Sequence, residues 1–218
     1  ATDLDHVVLV SASGNACRFM PSEVKTRTSP ETGEEVNTYV VRVQGRISQG
    51  VSGMKLSPND RVIGMIVTDD FETSVLTISK YGMAKRSRLG SGEMVPHVQD
   101  GSQALDGEGE KVFERDGYRK TNRGTKGVRT MSLRDGDEIV SVRQIPDLED
   151  QLFMLTGSGM MIRMVSGQTK ETLGKVTKGT RIMELRNPKR TGFVDEIVFV
   201  ARLPSELISI EESLDEEE

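Results

Sequence analysis

The sequence predicts an all-β fold, and three observations support that prediction. Apolar residues alternate with polar ones in several short runs, which is the period-2 pattern of strands that bury one side. Glycine is more frequent than proline, with 22 Gly and 7 Pro among 218 residues, and glycines recur between those runs, where turns are expected. No 3.6-residue pattern continues for more than about two helical turns. The chain is therefore expected to consist of short strands joined by tight turns.

A hairpin motif occurs three times along the chain. Each copy has apolar residues six and four positions before a glycine, a Ser or Thr three before it, and an Arg four after it. Small polar residues together with glycine favour the positive-φ turn of a β-hairpin. The motif therefore predicts three hairpins with an arginine on each returning strand. These arginines are Arg18, Arg86 and Arg163.

A second motif follows each hairpin after a stretch of variable length. It consists of a glycine, three variable residues, a methionine, one further residue and a leucine, and its copies lie at 50–56, 127–133 and 179–185. The glycine of this motif precedes the glycine of the next hairpin by 32 residues in both cases. A rigid module thus alternates with connecting stretches that tolerate insertion, as surface loops do.

A turn that begins with aspartate and a further strand complete each unit, at Asp60, Asp137 and Asp195. We expect these carboxylates to serve their turns through hydrogen bonds to the backbone. Four short strands per unit, repeated three times, indicate a propeller-like array of blades, either an open arc or a fragment of a larger ring. The expected boundaries are 1–203 for the repeat domain, with units at about 5–70, 73–145 and 150–203, and 204–218 for an acidic tail.

Two insertions, at 25–39 and about 89–111, interrupt the repeats. They are rich in Gly, Ser, Thr, Asp and Glu and contain few bulky apolar residues. This composition predicts mobile surface loops, and no chemistry is legible in them.

Charge is unevenly distributed along the chain. The formal net charge is −5, but the last fifteen residues hold seven acids and no Lys or Arg, so residues 1–203 carry a net charge of +2. The stretch 118–190 is clearly basic. The acidic tail is expected to be a disordered, solvated end. The alternative is that it competes, as a tethered polyanion, for the basic surface.

Composition excludes several classes of function. The single cysteine, Cys17, and the two histidines leave no multi-cysteine zinc site and little for metal or Ser/His catalysis. No phosphate-binding Gly-x-x-x-x-Gly-Lys loop and no Gly-x-Ser-x-Gly elbow is present. No apolar run approaches the roughly 18 residues of a membrane-spanning helix. We therefore expect a non-catalytic, cytoplasmic domain without cofactor or metal.

Three segments around the second motif resemble a known repeat. Residues 42–51, 118–128 and 174–179, which read RVQGRISQGV, YRKTNRGTKGV and GKVTKG, are similar to the repeating unit of the C-terminal domain of the A subunit of bacterial type IIA topoisomerases, namely DNA gyrase and topoisomerase IV. The hairpin arginines and the Asp-initiated strands fit the same pattern. The resemblance extends over about residues 5–203.

This resemblance implies a β-pinwheel, a propeller-like ring whose blades exchange strands and whose basic outer rim wraps double-stranded DNA. It implies an ATP-dependent type II topoisomerase as the parent enzyme, with the strand-passage tyrosine in another domain. The implied partners are DNA, the ATPase subunit, and the other domains of the A subunit. None of the three tyrosines of this chain matches a catalytic motif. They are Tyr39, Tyr81 and Tyr118.

One departure from the family pattern concerns the box Gln-Arg-Arg-Gly-Gly-Arg/Lys-Gly that marks the first blade of gyrase. The nearest segment here, 121–127, keeps only Arg123, Gly124, Lys126 and Gly127. Either the box-bearing blade precedes residue 1, or the parent is similar to topoisomerase IV or divergent. The sequence leaves both alternatives open.

Cations recur at equivalent positions of the three units, and this recurrence points to phosphate binding. Binding without sequence choice needs cations along a convex surface and no base-reading side chains. The first unit is the poorest, with Gln49 and Ser52 where the others carry cations. The candidate DNA-binding residues are Arg46, Arg86, Arg119, Lys120, Arg123, Lys126, Arg129, Lys175, Lys178 and Arg181.

Two questions stay open at this point, namely the location of the hairpin arginines and the role of the remaining cations. The hairpin arginines either lie on the rim or form structural hydrogen bonds between blades, and the sequence does not decide between these positions. The remaining cations could be ordinary solubilising residues, or the rim could bind an acidic protein instead of nucleic acid.

Overall fold

Each repeat unit contributes most of one antiparallel sheet, and the three sheets are blades that follow one another in chain order. The computed structural model describes residues 5–172, 177–186 and 192–208. The first blade has the strand order β12-β2-β1-β5. Its strands are β1 (His6–Ser11), β2 (Asn15–Phe19), β5 (Val62–Thr68) and β12 (Val128–Arg129).

The second blade repeats this arrangement, and the third contains three strands. The second has the order β13-β6-β7-β16, with β6 (Ser74–Ser79), β7 (Met83–Arg88), β13 (Ile139–Ile145) and β16 (Thr180–Arg181). The third has the order β15-β14-β17. Its strands are β14 (Gln151–Thr156), β15 (Met161–Val165) and β17 (Ile197–Leu203), and a 3₁₀ turn, Ser166–Gln168, follows β15.

Blades exchange strands, as the resemblance implied. Strand β12 belongs to the second unit but pairs with β2 of the first blade, and β16 belongs to the third unit but pairs with β7 of the second blade. Among the strands that the structure describes, none occupies the corresponding edge of the third blade beside β15. The sheets therefore form an open array, which confirms the predicted all-β, propeller-like architecture.

The glycine that opens each exchanged segment is required by close approach. Gly127 and Gly179 have φ of +76° and +72°. A Cβ at Gly127 would lie 2.2 Å from the carbonyl oxygen of Ala16, and one at Gly179 would lie 2.1 Å from that of Ala84. A side chain at either position would push the exchanged strand away from its sheet.

The aspartates bind the hairpin turns, as predicted. Asp60 accepts hydrogen bonds from the backbone N–H and the hydroxyl of Ser13, at 2.9 and 2.6 Å. Asp195 binds Ser158 in the same way, at 3.1 and 2.7 Å. Burial alone would raise the pKa of both carboxyl groups, but these hydrogen bonds outweigh it and lower the pKa of each. Each aspartate thus fastens the last strand of its unit to its first hairpin.

Two apolar seams hold the blades together. The first seam lies between the first and second blades, and the second seam lies between the second and third. Met131 of the second unit fills the first seam with Val8 and Val10, and Met183 of the third unit fills the second seam with Leu76. In the second and third units, the methionine of the second motif therefore packs one blade against the next, whereas Met54 of the first unit packs against Val7, Cys17 and Phe19 of its own unit.

The insertions contain short paired strands that the prediction of loops did not include, and their mobility stays a prediction. In the first insertion, β3 (Val24–Thr28) pairs with β4 (Glu35–Tyr39) as a two-stranded ribbon. The second forms two small ribbons, β8–β11 and β9–β10. Their strands are β8 (Met94–Pro96), β9 (Val98–Gln99), β10 (Ser102–Gln103) and β11 (Phe113–Arg115).

The first residues beyond β17 are fastened to the third blade. A single helical turn spans 205–208, and the Ser205 hydroxyl and N–H donate to Asp147 and Asp150 at 2.6 and 3.0 Å. The rest of the predicted acidic tail lies outside the described residues, and its disorder stays a prediction. In the described part of the chain, no helix has the length and apolar character to span a membrane.

Candidate nucleic-acid interface

Strand exchange places cations of one unit on the edge of the preceding blade. Lys126 precedes β12 and Arg129 lies on it, at the edge of the first blade. Lys178 and Arg181 hold the same positions at β16, at the edge of the second blade. Arg129 pairs in register with Asn15, and Arg181 with the equivalent Met83. All four side chains are exposed. We call these four residues the rim cations.

The rim cations are not neutralised by neighbouring acids. None of them, nor the exposed Arg119, forms an ion pair with a residue that the structure describes. Other surface cations are paired, for example Arg61 with Glu138 through two bonds of 2.9 Å. The rim therefore keeps its positive potential available to a polyanion.

Arg119 and Lys120 lie on the segment that leads into β12, and a buried tyrosine anchors that segment. Tyr118 is buried, its hydroxyl is hydrogen-bonded to Thr130, and burial raises the pKa of Tyr118 to about 12. The two following cations are exposed. Lys120 lies 3.0 Å from the carboxylate of Glu93. Of the two, Arg119 is thus the more available to an anion.

Arg123 has a structural as well as a surface position. Its Nε donates to the carbonyl of Val40 at 2.8 Å, and its Nη1 donates to that of Ser52 at 2.5 Å. It is half-buried and ties the second unit to two segments of the first. Removing Arg123 would therefore change folding as well as surface charge.

Two further candidates are not placed on the exchanged strands. Arg46 is exposed, within a stretch that contains no strand in the structure. Lys175 lies outside the described residues.

Arg86 is buried in the second seam, so it is no longer a candidate DNA-binding residue. Its side chain donates to the carbonyl of Thr169 at 2.8 Å, and to the Ser74 hydroxyl and the Glu171 carboxylate at 3.1 Å each. With its donors engaged inside the protein, Arg86 cannot reach a phosphate without breaking this network.

Arg18 holds the equivalent position in the first seam. It is fully buried, and its Nη1 donates to the carbonyls of Leu89, Gly90 and Tyr118 at 2.8–2.9 Å. Its Nε donates to Nδ1 of His6 at 3.1 Å. Burial lowers the pKa of Arg18 to about 10, so it stays charged at neutral pH. Burial and the Arg18 charge lower the pKa of His6 to about 4, so the imidazole stays neutral and accepts this bond.

The third hairpin arginine has a different environment, because Arg163 is exposed. It is hydrogen-bonded to Gln151 and lies over the Phe153 ring, 5.5 Å from the ring centroid. Of the two positions that the sequence left open, Arg18 and Arg86 occupy the one between blades.

Sequence reasoning missed Lys85, a buried cation. Its Nζ donates to the carbonyl of Thr130 at 2.8 Å, and burial lowers the pKa of Lys85 to about 8. A signal was present, because the equivalent hairpin positions hold Cys17 and Ile162, which are residues typical of interiors. Within the described residues, no group of three or more His, Cys, Asp or Glu is arranged to hold a metal ion.

A known family of domains shares this repeat. A family model described as "DNA gyrase C-terminal domain, beta-propeller" matches residues 36–69, 111–146 and 150–203, which are more than half of the chain and contain all three second motifs. The chain belongs to this family. The DNA gyrase C-terminal domain family thus accounts for the repeat.

The curated relatives agree with the family model. The A subunit of DNA gyrase from Campylobacter jejuni is 31% identical over 178 residues, which are 81% of this chain and 17% of that protein. Its counterpart from Helicobacter pylori J99 is 28% identical over 167 residues, which are 76% of this chain and 16% of that protein. The chain therefore spans about one sixth of the length of these relatives.

Solved structures support the fold. The C-terminal domain of DNA topoisomerase IV matches with a TM-score of 0.64 at 14% sequence identity, covering 97% of this chain and 52% of that one. The E. coli ParC C-terminal domain matches with a TM-score of 0.54 at 14% identity, covering 94% of this chain and 64% of that one. At these identities the likeness concerns the fold alone.

Proposed function

We propose that this chain binds double-stranded DNA without sequence preference and bends it along the blade edges. In this proposal it is a non-catalytic part of a gyrase or topoisomerase IV A subunit, and it presents DNA to the strand-passage gate in other domains. It acts in the cytoplasm together with those domains and with the ATPase subunit. The observation that carries the proposal is the pair of exchanged strands, each with two exposed cations that lack an ion-pair partner among the described residues.

Unpaired surface cations are suited to this task for a physical reason. Duplex DNA carries one charge per about 1.7 Å of helix axis, and a protein that neutralises phosphates releases condensed counterions. A cation already paired with a carboxylate would have to give up that pair first. Within the described parts of the chain the rim cations have no such pair to lose, so no ion pair must be broken before they contact phosphates.

Repetition of the rim cations favours bending over simple contact. Gly127 and Gly179 hold the two exchanged strands in equivalent registers on consecutive blades. A duplex that meets both edges must follow the arc of the blades. Bending a 20–30 base-pair site by 40–90° costs on the order of 1–6 kcal/mol, which several phosphate contacts can offset.

Binding to short duplexes tests the first half of the proposal. Two 40-base-pair duplexes of unrelated sequence are titrated at low salt with the wild-type chain and with the rim variant, Lys126→Ala/Arg129→Ala/Lys178→Ala/Arg181→Ala. We expect equal wild-type affinities for both sequences and a large loss in the rim variant. A wild-type chain that shows no salt-linked shift, but binds an acidic protein, would instead support a protein-interaction domain.

Plasmid topology tests the second half. A nicked plasmid is incubated with the chain and sealed by ligase, and the protein is then removed. Bending into a wrap changes the linking number of the product, and the sign of the change gives the hand of the wrap. We expect a shifted topoisomer distribution for the wild type and none for the rim variant. A wild-type distribution identical to the protein-free control would exclude wrapping by this chain.

A further inference from the structure

The insertion in the first unit places two cations on one side of the β3–β4 ribbon. Lys25 and Arg27 are two residues apart on β3, so their side chains leave the same side of the ribbon. Lys25 pairs in register with Thr38, and Arg27 with Val36. That side of the ribbon therefore carries two positive charges and no acid at the paired positions.

A hollow of about 430 Å³ lies between this ribbon and the second unit. Four cations line it, namely Lys25, Arg27, Arg42 and Arg123, and no carboxylate does. The remaining lining is neutral. We call this hollow the ribbon pocket.

The walls of the ribbon pocket are held by hydrogen bonds. Arg123 donates to Val40 and Ser52 as described above, and the Nζ of Lys25 donates to the Asn122 side chain at 2.5 Å. The backbone N–H of Val40 donates to Glu23 O at 2.8 Å. The pocket is thus built from two units that are linked at several points.

Charge in the ribbon pocket is largely uncompensated. Lys25 lies 4.0 Å from the carboxylate of Glu23, which is outside the pocket lining. Arg27 and Arg42 form no ion pair within the described part of the chain. Four like charges around one hollow repel one another, and an anion between them removes that cost. Three guanidinium groups favour a phosphate, whose oxygens accept paired N–H donors.

The ribbon pocket adjoins a second hollow that reaches β12. No rim cation lines that hollow, and Glu23 is part of its lining. Lys25 and Asn122 also line a neighbouring hollow with Arg119 and Lys120, and that hollow extends to Val128 on β12. The first unit has Gln49 and Ser52 where the later units have rim cations. The ribbon therefore adds positive charge to the unit that has no cation at the two rim positions.

We propose that the ribbon pocket binds a phosphate of the DNA backbone, as an additional contact beyond the rim cations. This inference rests on the proposed function and adds a site formed by the insertion of the first unit. The pocket-lining arginines and Lys25 bind the phosphodiester, while Arg123 also positions the wall. The same chemistry would accept a free phosphate ion, which the test below distinguishes from the backbone.

The test removes three of the four pocket cations and keeps Arg123, whose hydrogen bonds to two backbone carbonyls hold the pocket wall. The pocket variant is Lys25→Ala/Arg27→Ala/Arg42→Ala, and the charge-matched control is Arg61→Ala/Lys80→Ala/Lys111→Ala. Each loss of a phosphate contact lowers the slope of log affinity against log salt by about 1. Because the three cations share one phosphate in this proposal, we expect the pocket variant to lose about 1 in slope for a 40-base-pair duplex, with the control near wild type. Thermal unfolding establishes that both variants are folded.

The outcomes separate the inference from the proposed function. A pocket variant that matches the control, while the rim variant has lost binding, would overturn the ribbon pocket and leave DNA binding in place. A wild-type chain that binds no duplex would overturn both. A last experiment titrates the chain with inorganic phosphate at constant ionic strength and monitors binding by the broadening of the ³¹P NMR line. Broadening that requires the three cations, without any difference in DNA affinity, would show a free-phosphate site and contradict the assignment to the backbone.

Discussion

Two pairs of arginines in this repeat have the same side chain but differ in burial, location and hydrogen-bond partners. Arg18 and Arg86 lie in the seams, where backbone carbonyls and buried polar groups of the next unit accept their hydrogen bonds. Arg129 and Arg181 lie on the exchanged edge strands, exposed and without an ion pair among the described residues. The repeat thus uses guanidinium groups both to join blades and to present charge. The position of the arginine within the unit determines which of these two roles it has.

The largest expected effect that tests this comparison is the loss of stability when Arg18 is replaced. Arg18→Met removes the side-chain donor from the carbonyls of Leu89, Gly90 and Tyr118 in a buried seam, where that of Leu89 keeps the Tyr118 N–H. We expect a loss of about 3–5 kcal/mol in the free energy of unfolding, measured by urea denaturation. Arg163→Met is the matched control, because the same repeat position is exposed there, and we expect a change within about 0.5 kcal/mol. Equal losses in the two variants would contradict the division between seam and surface.

A smaller loss of stability should follow from blocking strand exchange. Gly179→Ala combines a positive φ with a Cβ that would lie 2.1 Å from Ala84 O. Strain and overpacking together should cost about 2–4 kcal/mol. Gly101→Ala separates the two causes, since Gly101 has a φ of +80° but nothing within 4 Å of an added Cβ. If both variants lost the same free energy of unfolding, the close approach of the exchanged strand would be without consequence.

A pH effect distinguishes the buried Lys85 from the two seam arginines. Burial lowers the pKa of Lys85 to about 8, whereas the unfolded chain holds that proton up to about 10.4. The unfolded state therefore binds more protons between these values, and the free energy of unfolding should rise as the pH increases from about 8 to 10. In Lys85→Met this rise should be absent. A rise of the same size in both proteins would show that Lys85 does not cause the pH dependence.

Much of the fold could be predicted from the sequence because each repeat contains residues that the structure requires at fixed positions. Gly127 and Gly179 are required by close approach, and Met131 and Met183 fill the seams, so the units could be aligned from the sequence alone. Strand exchange followed only from the family resemblance. Pairing of Ala16 with Val128 joins residues far apart in the chain, and no local pattern records such a pairing.

The candidate site was predictable in part. The rim cations recur at fixed offsets from the second-motif glycine, and this recurrence identified them. Arg86 was misplaced, although the alternation of the strand puts it on the same side as the buried Ala84. The β3–β4 ribbon was missed for a different reason, since its residues are mostly exposed and polar on both sides. Without a buried side, a strand has no period-2 hydrophobic pattern to detect.

The salt dependence of duplex binding by the rim variant tests the central claim most directly. The log–log slope is measured for the wild type and for Lys126→Ala/Arg129→Ala/Lys178→Ala/Arg181→Ala. A four-cation control, Arg61→Ala/Lys80→Ala/Lys111→Ala/Arg163→Ala, carries the same change in net charge. We predict that the rim variant loses about 4 in slope, at roughly 0.9 per phosphate, with an unchanged free energy of unfolding. A rim variant with the wild-type slope, or a control that loses as much, would contradict the account.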